Sequence, residues 1–187
     1  GDGSVTIQQA KALAVLLPRT MVFECKRKEW ELDAWLLLMT TLQNVTSVRS
    51  LTLVLPNNLD DGYPAYIDAL GDMLSKNRSI IKLTLLKRRN RLDSEIPDVH
   101  IEMDFNFTPL VMEILQQNDT IQSLTMVGMY FDTHQLSEAL TKNNSLQEWN
   151  VEGCHSVDHN KLASILQDHN TGLNRVIVPA TCPSNAT

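Results

Sequence analysis

The chain has 187 residues, 43% apolar and 20% charged, with a formal net charge of −6. That is enough for one domain with a sizeable core or for a short repeat array, and it excludes disordered and collagen-like classes. The longest apolar stretch, Ala34 to Met39, falls far short of the roughly 18 to 20 residues of a bilayer helix, and an acidic balance argues against a nucleic-acid backbone as partner.

In chain order, Gly1-Asp2-Gly3-Ser4 reads as a linker or cloning remnant, residues 5–178 as one α/β domain and residues 179–187 as a flexible tail. Neither a basic n-region nor an apolar run opens the sequence, so no secretory signal is read. A helix is expected from about Ile7 to Leu17 and a strand at Met21-Val22-Phe23. A second helix, around Trp30 to Leu42, leads into a strand at Val48.

From Val48 onward one pattern recurs: apolar, two variable residues, apolar, variable, apolar. Its copies are Val48–Leu53, Ile80–Leu85, Ile121–Met126, Leu146–Val151 and Leu173–Val178. The last three positions alternate apolar, variable, apolar, the period of a strand buried on one face. A helical pattern ending in Asn precedes four of these copies: Leu70–Asn77, Met112–Asn118, Leu136–Asn143 and Leu162–Asn170. Asn tolerates the left-handed conformation that commonly ends a helix. Helix starts are marked by Thr108 before Pro109, by Asp132 or Thr133, and by Asp158.

The copies begin at residues 48, 80, 121, 146 and 173. The last two intervals match the roughly 20 to 29 residues of a leucine-rich repeat, and the first two carry insertions. About six strand-helix units are expected. The longest interval contains Val99 to Phe107 in strict apolar/polar alternation, an extra-strand signal. This irregular β insertion, near residues 87–107, is either a projecting hairpin or a cover for a sheet face or edge.

The wording Leu-x-x-Asn-x-Ser-Leu-x-x-Leu-x-Leu, followed from about Trp35 to Val178, resembles the ribonuclease-inhibitor-like leucine-rich-repeat proteins. Tropomodulin-like and immune-receptor proteins belong to that class. The resemblance implies an α/β solenoid, a parallel sheet on one face and helices on the other, acting as a protein-binding surface; it singles out no member. The Asn that usually follows the Leu-x-Leu strand is absent or shifted, as in Val54-Leu55-Pro56-Asn57 and Leu86-Lys87-Arg88-Arg89. An irregular solenoid without an Asn ladder is therefore expected.

Stacking should bury Leu51, Leu53, Leu83, Leu85, Leu124, Met126, Trp149, Val151, Val176 and Val178. The alternate strand positions must then face out in three rows. One holds Thr52, Thr84, Thr125, Asn150 and Ile177, and a second Val54, Leu86, Val127 and Glu152. The third holds Ser50, Lys82, Ser123, Glu148 and Arg175. The second row is either a sticky apolar stripe or is covered by a neighbouring segment. Lys82, Thr84, Leu86, Ser123, Thr125, Val127, Asn150 and Glu152, beside the insertion, are the candidate partner-binding residues.

Chemical motifs are weak. Cys25, Cys154 and Cys182 are far apart and odd in number, fitting neither a disulfide framework nor a zinc site. Cys154-His155 with His159 lacks any surrounding catalytic motif. Lys26-Arg27-Lys28 and Lys87 to Arg91 are each followed closely by acids and read as solvated charges. The expectation is an interaction module that is not an enzyme, with no cofactor, metal or small-molecule substrate. Its partner is another protein, not nucleic acid or membrane. The alternatives are a structural or capping fragment of a larger receptor or adaptor, or an enzyme on a doubly wound parallel sheet. A cytoplasmic setting is expected. Secretion is the alternative, because Asn44, Asn77, Asn106, Asn118, Asn143 and Asn185 each open an Asn-x-Ser/Thr sequon. Asn77, Asn118 and Asn143, with Asn44, are expected instead at helix-to-strand turns as structural residues.

Overall fold

The computed structural model describes residues 4–27, 29–56, 63–87, 105–151, 154, 158–167 and 172–178. Residues 1–3 of the proposed linker, the tail, Glu152 and residues 88–104 of the insertion, on which the choice between hairpin and cover falls, lie outside them.

Among the described residues six strands alternate with six helices. The strands are β1 (Val22–Cys25), β2 (Ser50–Val54), β3 (Lys82–Leu86), β4 (Ser123–Val127), β5 (Glu148–Asn150) and β6 (Arg175–Ile177). The helices are α1 (Ile7–Leu16), α2 (Leu32–Asn44), α3 (Tyr63–Lys76), α4 (Thr108–Gln117), α5 (Thr133–Lys142) and α6 (His159–Gln167), and a 3-10 turn, Leu17–Arg19, follows α1. All strands are parallel and lie in sequence order, β1 to β6, in one sheet. Each helix packs against the next. A doubly wound sheet needs a point where strand order reverses. This sheet has none, so that alternative falls and the solenoid stands.

Period-two alternation places Leu51, Leu53, Leu83, Leu85, Leu124, Met126, Trp149 and Val151 in the core, as expected. Burying each such side chain contributes about 1.5–3 kcal/mol. Val176 is only partly buried and Val178 is exposed, contrary to expectation. Among the described strands β6 lies at the edge of the sheet, with a neighbour on one side only.

Thr108 is not the expected N-cap. It is the first residue of α4, behind Phe107 at the cap position. Its buried hydroxyl accepts the Asp132 N–H at 2.8 Å, and Thr133 accepts the Asp158 N–H at 3.2 Å one unit later. The two threonines tie successive helix starts together. The caps themselves are the expected acids: Asp132 accepts the His134 N–H at 2.9 Å and Asp158 the Lys161 N–H at 2.9 Å.

The absence of an Asn ladder is also corrected. The ladder exists, at the helix-to-strand corner instead of after the strand. Asn77 donates to Leu42 O and Val45 O at 2.7 and 3.1 Å. Asn118 donates to Leu74 O and Asn77 O at 2.7 and 3.1 Å, and Asn143 to Leu115 O and Asn118 O at 2.8 and 3.3 Å. Each Oδ1 accepts two amides of its own corner: Ser79 and Ile80, Thr120 and Ile121, Ser145 and Leu146. The carbonyls left over at one helix end are thus satisfied by the next unit. Asn44 stands apart: it is exposed and donates only within its own helix, to Thr40 O at 2.9 Å.

Candidate protein-binding face

The parallel register sets the three outward rows side by side. Glu24, Thr52, Thr84, Thr125, Asn150 and Ile177 are consecutive partners across the sheet. So are Val22, Ser50, Lys82, Ser123, Glu148 and Arg175. Val22 and Glu24 add a position to the rows expected from β2 onward. The alternation Val22-Phe23-Glu24-Cys25, with Phe23 and Cys25 buried, was the available signal. Thr52, Thr84, Thr125, Asn150 and Ile177 are half-exposed, as are Ser50, Ser123 and Glu148, while Lys82 and Arg175 are exposed. At about 4.8 Å per strand, six strands present a face on the order of 25 Å wide.

The apolar row differs from an open stripe. Leu86 and Val127 are partners and half-buried, but Val54 is 1% exposed. A continuous sticky stripe of three residues is therefore absent, although the register is as expected. Charge on the described face is mixed, with Glu24, Lys82, Glu148 and Arg175, and Arg175 pairs with Glu148 at 3.3 Å.

Both ends of the insertion emerge at one place, the C-terminal end of β3. Lys87 Nζ lies 3.1 Å from the Tyr63 hydroxyl, 4.4 Å from that ring's centroid and 5.7 Å from the Phe107 ring. Phe105 packs edge-on against Tyr63 and Phe107, with centroids 4.7 and 5.1 Å away. Of the alternating segment, Asn106 makes a single parallel bridge to Tyr130. Gly128 holds φ at 71°, and a Cβ there would stand 2.3 Å from Lys87 O, so only glycine fits beside this anchor. The insertion therefore leaves the solenoid next to Leu86 and Val127.

Among the described residues no catalytic arrangement is seen around Cys154; the His159 side chain lies outside them. Cys154 is buried, its Sγ is 3.1 Å from Met126 O, and burial pushes its thiol pKa up to about 11. A nucleophilic cysteine needs the opposite shift. His155 lies outside the described residues. His134 Nε2 lies 3.1 Å from Asp158, an exposed helix-start pair. Among the described residues no three His, Cys, Asp or Glu side chains gather as metal ligands, and no helix is long and apolar enough to cross a membrane. On the helix side, a groove of about 410 Å³ between α2 and α3 is lined by Leu36, Met39, Ala69, Asp68 and Asp72 among others. Asp72 there is paired with Lys76 at 2.5 Å.

No protein-family model matches the chain, and no curated protein matches it in sequence. Among solved structures it is similar to one described as "Leiomodin-1 Actin-Binding Site 2 (ABS2)", at 13% identity and a TM-score of 0.52. The match covers 84% of this chain and 85% of that one. The fold is leucine-rich-repeat-like. At this identity the likeness speaks for architecture alone.

Proposed function

We propose that the chain is a protein-protein interaction module, a scaffold or recognition domain that binds its partner through the open sheet face beside the insertion. The observation that carries this reading is the in-register alignment of two rows of accessible polar side chains across the sheet. A repeat array buries its helix stripes and inner strand faces by stacking and leaves such a surface for a ligand. Its width suits a standard interface of roughly 800 Å² per partner. Lys82, Thr84, Leu86, Ser123, Thr125, Val127 and Asn150 form the proposed centre, where hot spots usually cluster; Glu152 follows in sequence.

A binding module needs neither a cofactor nor a catalytic group, and the inert Cys154 thiol agrees with a non-enzymatic role. The similar structure is of an actin-binding site, which makes actin the first protein to test as partner. Fluorescently labelled monomeric actin is the probe. Thr84→Arg with Thr125→Arg should weaken binding at least tenfold and leave the melting temperature nearly unchanged. Gln116→Arg on the helix side should bind like the parent. A flat titration with the parent chain removes actin as partner. Binding that ignores the double substitution but is lost on Gln116→Arg moves the interface to the helices and ends this reading.

A further inference from the structure

Sequence patterning and corner geometry meet in one tripeptide. The ladder corners Asn77-Arg78-Ser79, Asn118-Asp119-Thr120 and Asn143-Asn144-Ser145 are also Asn-x-Ser/Thr sequons. The third residue works with the first. Ser79 Oγ lies 3.0 and 2.9 Å from Val45 O and Val48 O, Thr120 Oγ1 3.2 Å from Ile80 O, and Ser145 Oγ 3.4 Å from Asn118 O. The same hydroxyl lies 3.1 to 3.2 Å from the Asn Oδ1 of its own corner.

N-glycosylation forms a bond between Asn Nδ2 and the anomeric carbon of a lipid-pyrophosphate-linked oligosaccharide. The lipid pyrophosphate leaves, and Nδ2 loses one proton. In the ladder both Nδ2 protons are committed to carbonyls of the preceding unit, and the three asparagines are only 2%, 3% and 8% exposed. A sugar on Nδ2 removes one of these donors, strands a buried carbonyl and demands room the closed corner lacks.

The other described sequons differ. Asn44 and Thr46 are both exposed, and Asn44 Nδ2 makes only the bond to Thr40 O at its own helix end. Asn106 is exposed, but its Thr108 is buried and holds the Asp132 amide.

We propose that the Asn-x-Ser/Thr triplets of this chain divide by physical role: those at Asn77, Asn118 and Asn143 build the fold and exclude N-glycans, whereas Asn44 can carry one with the fold intact. Glycan transfer acts on chains before they fold, so a chain that meets the transferase is modified at ladder positions and kept from stacking. The native protein then belongs where N-glycosylation does not operate.

The test sends the whole chain, behind a secretion signal, through a eukaryotic secretory host, with intact-mass and peptide mapping. A second variant, Ser79→Ala with Thr120→Val and Ser145→Ala, keeps all three asparagines but abolishes their sequons. Its cooperative melting is first established on protein made in bacterial cytosol. Expected results are three. The folded fraction of the parent carries no sugar at Asn77, Asn118 or Asn143. Blocking glycan transfer with tunicamycin raises the parent's folded yield. The sequon-removed variant is recovered folded, with a glycan at Asn44. Cooperative melting of protein bearing a glycan on any ladder asparagine overturns the proposal, and so does loss of folding when Asn44 alone is occupied.

Discussion

The first two units and the next three solve one problem by different means. In units 3 to 5 the helix-to-strand corner is held by Asn77, Asn118 and Asn143, each bonded to the unit before it. In units 1 and 2 the same place is taken by buried Leu17 and Val45; there the side-chain bond across the junction is a hydroxyl, Ser47 donating to Leu17 O at 2.8 Å, beside the Arg49 and Ser50 amides on Met21 O. The N-terminal units are pinned elsewhere, by aromatic side chains. Trp35 Nε1 donates to Tyr66 O at 2.9 Å, the Tyr66 hydroxyl to Trp30 O at 2.8 Å, and Trp30 Nε1 to Arg27 O at 3.1 Å. Trp30 and Trp35 meet edge-on at 5.3 Å. Polar side chains thus join units wherever backbone groups would otherwise be buried unpaired, and the repeat does not fix which side chain does it. The N-terminal end is also the apolar one, with Val15, Leu16, Met21 and Val22 exposed.

Both regions share one core, and the harshest test attacks it. Leu83→Asp or Leu124→Asp should abolish cooperative unfolding, because an unpaired buried charge costs several kcal/mol. Thr84→Asp and Thr125→Asp, one residue away on the open face, should melt within about 1 kcal/mol of the parent. Circular dichroism decides; similar losses in both sets would mean that the outward rows are misassigned.

Next comes the ladder itself. Asn118→Ala removes five side-chain hydrogen bonds and strands buried amides and carbonyls, at about 1–3 kcal/mol each before relaxation. A loss of at least about 3 kcal/mol is expected in urea titration. Asn44→Ala, outside the ladder, should cost less than about 0.5 kcal/mol. Equal effects would erase the distinction between the corners.

The aromatic pins are weaker. Tyr66→Phe keeps the ring but frees the buried Trp30 carbonyl, and should cost about 1–2 kcal/mol. A cost matching that of Asn118→Ala would make the two fastening devices equivalent.

The smallest effect lies between α3 and α4. Glu113 Oε2 stands 2.3 Å from where a Gly71 Cβ would be, so glycine gives the carboxylate its place. Burial, then repulsion by Asp72 and Asp68, raises its pKa above the ordinary carboxylate value. A raised folded pKa means the ionised form is less favourable in the folded state, so this group's stability contribution falls as pH rises through the carboxylate range. Glu113→Gln should then stabilise the protein at neutral pH by a few tenths of a kcal/mol, discounted for solvent screening. The gain should disappear in acid. A stability difference that does not change with pH would rule out this electrostatic origin.

Some of the fold was legible because it is periodic. Alternation over Leu51/Leu53, Leu83/Leu85 and Leu124/Met126 specified the strands, their buried face and their register, since a one-residue slip would turn every leucine to solvent. Asn at the ends of three helical patterns likewise marked the corners at Asn77, Asn118 and Asn143, because its side chain readily bonds nearby backbone in turns. The expected left-handed conformation is not adopted, since Asn118 and Asn143 are extended at φ −105° and −83°, and the donation to the preceding unit was not legible in the sequence. What the side chains do across units depends on partners 24 to 44 residues away, and no local pattern encodes those. Tertiary structure alone decided that Thr108 ties one helix start to the next, that Val54 is enclosed while Leu86 and Val127 are half-buried, and that Lys87, Tyr63, Phe105 and Phe107 gather where the insertion leaves the sheet. Period and composition determine which face of an element is apolar; only the stacking of whole units determines what each face meets.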